Sequence, residues 1–312
     1  MKTHKHFAII ISGPTASGKT PLSQAIADKV SGEIINADSM QVYKELCILS
    51  ARPKEFETTA IPHHLYGHIS ILSPYSVGTW LTHTNKAIKK ICNQNKVPII
   101  CGGTGLYLKV LREGIARTPS IDKSSIKKAT SLYDEKGKTA ALSVLQKINP
   151  KINPYSQPKD RQRIIRALSV YFATGRSLKD WQKLSSSMPQ LRVSYFAINL
   201  IPPREGLYCK INQRFDQMIT DGAVDEAKAI MDLNPDPELP AMKAVGLPQI
   251  LNFLSGTISL ETAILDAKKS TRNLAKRQLS WLRNHSQADL ILTNFATKDS
   301  VEDTLNAIEH LL

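Results

Sequence analysis

Between residues 13 and 20 the chain reads Gly13-Pro14-Thr15-Ala16-Ser17-Gly18-Lys19-Thr20, which fills every fixed position of the pattern G-x-x-x-x-G-K-[ST]. Each residue type has a task in holding a polyphosphate. The glycines let the backbone curl so that successive N–H groups face one anion. The N-terminus of the following helix adds its partial positive charge. Lys19 supplies a point charge, and the Thr20 hydroxyl suits Mg²⁺. These eight residues are therefore expected to hold the diphosphate or triphosphate group of a small substrate. The motif specifies phosphate, not hydrolysis. A P-loop NTPase carries an Asp at the end of another strand to help hold Mg²⁺. Here the candidate strand Val97–Cys101 runs into Gly102-Gly103-Thr104 without an acid, and the chain has no Asn-Lys-x-Asp guanine signature. A switch GTPase or helicase motor is disfavoured; transfer of a group from or to a bound phosphate ester is favoured.

Two further strand ends carry polar residues that can meet the phosphate loop, because ligands of doubly wound sheets sit beyond the carboxyl ends of the strands. Asp38-Ser39 follows one and Gly102-Gly-Thr-Gly105 the other. Asp38 is the only acid on these three segments, and it reads either as a general base for a bound acceptor or as a cap of the next element. Thr104 reads either as a substrate contact or as part of a glycine turn.

Two stretches concentrate positive charge. In Asp160-Arg-Gln-Arg-Ile-Ile-Arg-Ala-Leu168, Arg163 and Arg166 fall near one another on a helix surface, while Ile164, Ile165 and Leu168 can face a core. This helix is expected to end at Thr174-Gly175. From Lys268 to Arg283, residues Lys269, Arg272, Lys276 and Arg283 follow helical spacing opposite Ala275, Leu279 and Leu282. Such stripes read as ordinary solvated faces or as contacts to a nucleic-acid backbone. A formal net charge of +14 favours the second reading, since each phosphate neutralised releases counterions. His63-His64 lacks a third metal ligand and reads as structural, and Trp181 reads as core rather than as a base-stacking platform.

The elements that must position these groups are legible as apolar runs. Strands are expected at Phe7–Ser12, Glu33–Ala37, Val97–Cys101, Val193–Leu200 and Ala288–Thr293, with a helix from Pro21 to Val30. Helices between the strands imply an α/β fold around a parallel sheet. Residues 121–187 show helical spacing without strands and read as an all-helical insertion between core segments 1–120 and 188–312, with Ser185-Ser-Ser-Met-Pro189 as its exit linker. At 312 residues and 42% apolar, the chain is long enough for a packed core. No window approaches the roughly 18 apolar residues of a membrane span. The basic N-terminus Met1–His6 precedes too short an apolar run for a signal peptide, and four scattered cysteines suit a reducing compartment. A cytoplasmic monomer is expected.

Read together, the strings Gly13–Thr20, Asn36-Ala-Asp-Ser-Met-Gln-Val-Tyr-Lys44, Ile61–Leu65, Gly102–Tyr107, Asp160–Leu168, Pro240-Ala-Met-Lys-Ala-Val-Gly246 and Thr271–Arg283 resemble the bacterial tRNA dimethylallyltransferase (tRNA isopentenyltransferase) family along nearly the whole chain. The phosphate loop alone is generic; Asp-Ser-x-Gln-Val-Tyr and Asp-Arg-Gln-Arg-Ile-Ile-Arg in this order are specific. The resemblance implies a P-loop NTPase-like core with a helical insertion domain that contacts tRNA. It implies transfer of a dimethylallyl group from dimethylallyl diphosphate to N6 of the adenosine 3′ of a tRNA anticodon, with the base flipped into the core. It makes Gly13, Pro14, Thr15, Ala16, Ser17, Gly18, Lys19, Thr20 and Arg214 diphosphate contacts, Thr20 also a Mg²⁺ contact, Asp38 the base, and Thr104 a contact near the reacting centre. Asp38, Ser39, Met40, Gln41, Gln162, Arg163, Ile164, Ile165 and Arg166 become contacts to the anticodon stem-loop, joined by Arg272 and Lys276 of the second basic stretch. The sequence departs from the family after Tyr43, where Leu49 replaces a glycine. A small-molecule P-loop kinase with ATP on the loop is the alternative; the basic helices argue against it.

Overall fold

Phe7-Ala-Ile-Ile-Ile-Ser12 carries three consecutive isoleucines, which suits a strand covered on both faces. In the computed structural model, which describes residues 7–54, 60–116, 118–150, 160–184, 191 and 193–311, this run is strand β1 (Phe7–Ser12). It lies inside a parallel sheet with β2 (Gly32–Asn36), β3 (His63–His64), β4 (Val97–Gly102), β5 (Ser194–Leu200) and β6 (Leu290–Leu292) in the order β3-β2-β4-β1-β5-β6. The register sets Ser12 beside Gly102 and Asn199, and Asn36 beside Cys101. The ends of β1, β2 and β4 therefore stop level, and the three polar segments that follow them leave from one edge.

Helix α1 (Lys19–Lys29) starts two residues before the expected Pro21. Its N-cap is Gly18, whose φ of 97° lies in the left-handed region that glycine occupies without a Cβ penalty. Leu22 and Ile26 of α1 pack with Ile9, Ile11, Ile34, Ile99 and Ile198 of the strands into the main core. Burying each such side chain stabilises the fold by about 1.5–3 kcal/mol. Around the sheet run α2 (Val77–Asn93) and α3 (Gly105–Glu113), then, after the helical segment described next, α7 (Arg204–Thr220), α8 (Ala223–Asp232), α9 (Leu247–Leu254), α10 (Leu260–His285) and α11 (Lys298–Ile308). The intervening segment supplies α4 (Lys123–Ile148), α5 (Arg161–Thr174) and α6 (Leu178–Leu184). Among the described residues it contains no strand.

The contacts divide the chain into two compact units, Met1–Arg112 with Gln190–Leu312, and Glu113–Pro189. The second has its own core of Ala129, Ala141, Ile164 and Leu168. Helix α5 is capped at its start by the Asp160 side chain, which accepts the Arg163 N–H at 2.9 Å, and ends on Gly175 at φ 68°. Met1–His6 and Ser185–Pro189, read above as a basic terminus and a linker, lie outside the described residues. Among the described residues no helix is long and apolar enough to cross a membrane.

His63-His64, too short and polar to read as a strand, forms edge strand β3. His64 Nε2 lies 2.7 Å from Glu33 Oε2, and Lys96 Nζ lies 2.6 Å from Glu33 Oε1. The pair therefore serves the sheet edge. Trp181 is half-buried and donates to Thr174 Oγ1 at 3.0 Å, which fastens α6 to the end of α5.

Candidate active site

The phosphate loop leaves β1 and curls over the start of α1. Gly13 is fixed by close packing, since a Cβ there would lie 3.0 Å from the Leu200 carbonyl. The Pro14 carbonyl accepts the Ser17 N–H at 3.3 Å and Lys19 Nζ at 2.7 Å. Beyond it opens a cavity of about 640 Å³, lined by Thr15 to Thr20, by Asp38 and Gln41, by Ser50 to Pro53, and by Lys210, Gln213, Arg214 and Gln217 of α7. Gly13 and Pro14, expected among the diphosphate contacts, shape the loop from behind and do not line this cavity.

Electrostatically the cavity is lined, among the described residues, by Lys19, Arg52, Lys210 and Arg214 and one acid, Asp38. Burial pulls the half-buried Lys19 ammonium down to about 8; the Arg214 charge adds to that and Asp38 opposes it. Arg214 Nη2 donates to Thr15 Oγ1. Burial also lowers the Arg214 guanidinium from its usual value, with Asp38 again opposing. A bound polyanion would offset both penalties, because its negative charge favours the charged forms that burial disfavours.

Asp38 is held by its backbone. The buried Asn36 side chain accepts the Asp38 N–H at 2.7 Å and donates to the carbonyls of Asp38 (3.0 Å) and Leu65 (3.1 Å). Trp80 Nε1 donates to the Asn36 carbonyl at 2.8 Å, and its ring stacks on Tyr107 at 4.2 Å. Asp38 Oδ1 accepts the Met40 N–H at 2.9 Å, so the carboxylate also caps its own turn while lining the cavity.

The third strand end comes close because Gly102 has no side chain; a Cβ there would collide with the backbone of Ala37. The Thr104 N–H then reaches the Ala37 carbonyl at 3.2 Å, and Thr104 Oγ1 accepts the Ser39 N–H at 3.0 Å. Thr104 and Ser39 are thus joined to each other, outside the residues that line the cavity.

Residues 41–285 match the sequence pattern of the IPP transferase family. The chain belongs to the IPP transferase family. Residues 7–64 also match the pattern described as isopentenyl transferase. A tRNA dimethylallyltransferase of Hyphomonas neptunium is 42% identical over 277 residues, 89% of this chain and 88% of that one. Another, from Maricaulis maris, is 40% identical over 305 residues, 97% of each chain. Among solved structures, the full-length tRNA isopentenylpyrophosphate transferase of Bacillus halodurans superposes with a TM-score of 0.72 at 30% identity, over 98% of this chain and 97% of that one. A eukaryotic dimethylallyltransferase acting on tRNA superposes with a TM-score of 0.79 at 27% identity, over 97% of this chain and 78% of that one.

In this IPP transferase the remaining expected contacts are spread over two helices. On α5, Gln162, Arg163 and Arg166 are exposed; Arg163 Nε lies 3.3 Å from Asp160 Oδ2, and Arg166 donates to Thr118 Oγ1 at 3.0 Å. Ile164, also expected among the RNA contacts, has its side chain fully buried in the helical core. Ile165 is half-buried against the same core. On α10, Lys276 is exposed, whereas Arg272 is drawn inward to Asn212 Oδ1 at 2.7 Å.

Leu49, where the family carries glycine, does not sit in the left-handed region. Ala51, at φ 52°, is the residue of this loop that does. The Leu49 side chain is buried beside Gly246.

Two residues of this IPP transferase site escaped the sequence reading. Gln278 of α10 accepts the Thr15 N–H at 2.8 Å and donates to the Gly103 carbonyl at 3.1 Å. Lys210 sits one helical turn before Arg214 and holds its ammonium 3.7 Å from the Phe295 ring centroid. The i, i+4 spacing of Lys210 and Arg214 was the available signal.

Proposed function

We propose that this IPP transferase moves a dimethylallyl group from dimethylallyl diphosphate to N6 of the adenosine 3′ of a tRNA anticodon, releasing diphosphate. The observation that carries the reading is the cavity in which, among the described residues, Asp38 is the sole lining carboxylate beside Lys19, Lys210 and Arg214. The loop amides of Ala16, Gly18, Lys19 and Thr20, with the Lys19 ammonium and Arg214, bind the diphosphate. The same groups stabilise the charge that develops as the C1–O bond breaks. The N6 amine attacks C1, the new C–N bond forms, and Asp38 takes the N6 proton.

Mg²⁺ favours oxygen ligands completed by substrate phosphates. The Thr20 hydroxyl, at the base of the cavity lining, fits that requirement and would hold it. When bound, the ion supplies additional neutralisation of the diphosphate oxygens.

The acceptor base is turned out of its stack, at a cost of a few kcal/mol. Ser39, Met40, Gln41 and Thr104 receive the base, and backbone contacts from Gln162, Arg163, Arg166, Arg272 and Lys276 offset the cost. Ile164 and Ile165 serve by holding α5 in shape. The helical unit acts as the tRNA-contacting domain of a cytoplasmic, monomeric enzyme.

The test is incubation with radiolabelled dimethylallyl diphosphate, Mg²⁺ and unmodified tRNA. Label is expected in the tRNA, at the adenosine 3′ of the anticodon. An unlabelled tRNA together with ATP-dependent phosphorylation of a small hydroxyl compound would favour the kinase reading instead.

A further inference from the structure

Part of the cavity wall is a loop with no regular structure of its own, Ser50 to Pro53. The three residues that lead into it, Cys47 to Leu49, are held through their amides by one carboxylate. Glu226 Oε2 accepts the N–H groups of Cys47 at 2.9 Å and Ile48 at 2.7 Å, and Oε1 accepts that of Leu49 at 2.9 Å. From the carbonyl side, Gln41 Nε2 donates to Ser50 O at 3.1 Å and Ala51 O at 2.9 Å. The turn closes through the Ala51 N–H to Ile48 O at 2.9 Å and the Arg52 N–H to Cys47 O at 3.0 Å. Glu226 itself stands on the first turn of α8 and does not line the cavity.

Three successive backbone N–H groups turned toward one point form an anion-binding concavity. A fixed carboxylate filling it makes charge-assisted bonds, which are stronger than neutral ones. We infer that Glu226 is a positioning residue for the donor: it fixes the Ser50–Pro53 wall at the place where the diphosphate, held by Lys19 and Arg214, fits against it. This rests on the function proposed above, since it takes the cavity as the donor site. No isosteric replacement preserves the clamp. A glutamine keeps one acceptor oxygen and turns its NH₂ toward the N–H groups it should accept. An aspartate keeps both oxygens but reaches one methylene less far.

The test is Glu226→Gln and Glu226→Asp, with Asp232→Asn as a charge-matched control on the exposed end of α8. Michaelis constants for donor and for tRNA are measured separately, together with pyrophosphate affinity by calorimetry and the thermal midpoint. We expect Glu226→Gln to raise the donor KM and the pyrophosphate Kd about tenfold, the scale of one lost bond to a charged group. The tRNA KM should move less than about twofold. Glu226→Asp should recover part of the loss, and the control should match wild type. Unchanged donor KM and pyrophosphate Kd in both variants would overturn the inference, as would equal losses for donor and tRNA. If Glu226→Gln does not fold, Glu226→Asp gives the same readings. Failure of the wild-type protein to prenylate tRNA would sink the proposed function, while the pyrophosphate affinities would still judge Glu226.

Discussion

The Thr15 N–H donates to Gln278 Oε1 at 2.8 Å across 263 residues of sequence. Nε2 of the same glutamine donates to the Gly103 carbonyl at 3.1 Å. One side chain of α10 therefore fixes the phosphate loop relative to the segment after β4. Replacing it with alanine frees both segments. We expect Gln278→Ala to lower kcat/KM for the donor about tenfold, corresponding to roughly 1–1.5 kcal/mol for the lost bonds. Steady-state kinetics with tRNA saturating checks it.

Asp38 combines a turn-capping bond to Met40 with a place in the cavity lining. Asn keeps the cap, because its carbonyl oxygen still accepts the Met40 N–H. Asp38→Asn should therefore lower kcat by about 10²–10⁴, the usual worth of a general base. Donor and tRNA affinities should stay close to wild type. A wild-type rate in this variant would remove the base assignment.

Lys19 sets a pH dependence. Its value of about 8 lies below the ordinary 10.5, so the free enzyme loses the ammonium as pH rises through about 8. Donor kcat/KM should fall across that range, and Lys19→Arg, which stays charged, should remove the inflection. For stability the sign is opposite. Between about 8 and 10.5 the unfolded chain binds more protons at this site, so the Lys19 contribution to folding improves with pH there.

The exposed arginines of α5 are expected to act on RNA phosphates. Arg163→Ala and Arg166→Ala should each weaken tRNA binding and reduce the log–log salt slope by about one. Ile164→Ala should act differently, destabilising the protein by about 2–5 kcal/mol through a core cavity. Filter binding over a salt series, beside thermal melts, separates the two effects.

Chelation of divalent ions should abolish most transfer, and Mg²⁺ should restore it. Thr20→Ala should raise the Mg²⁺ concentration needed for half-maximal rate, because one protein oxygen is removed. A Mg²⁺ titration of both proteins at fixed donor reads this directly.

The sheet was legible in the sequence because buried parallel strands appear as unbroken apolar runs, as in Ile9-Ile10-Ile11 and Ile99-Ile100-Cys101. The phosphate loop and Asp38 were legible because their residue types are demanded by chemistry at strand ends. Edge strand β3 was not: it is two histidines long, and its pairing depends on Ile34 and Ile35 far away. Gln278 and Glu226 were hidden for a related reason. Both sit on amphipathic helices whose pattern declares only the buried face, while their partners are backbone groups that sequence does not distinguish. Ile164 shows the converse, where one motif string places exposed arginines beside a residue buried in the helical core.

The central claim is that one cavity holds the donor's diphosphate and the acceptor of the N6 proton. A crystal structure with an unreactive dimethylallyl diphosphate analogue and an anticodon stem-loop tests it most directly. The diphosphate is expected within hydrogen-bond reach of the Ala16 and Gly18–Thr20 amides, Lys19 Nζ and Arg214, with C1 and N6 facing Asp38. A diphosphate bound away from Lys19, or an N6 amine beyond reach of the Asp38 carboxylate, would contradict it.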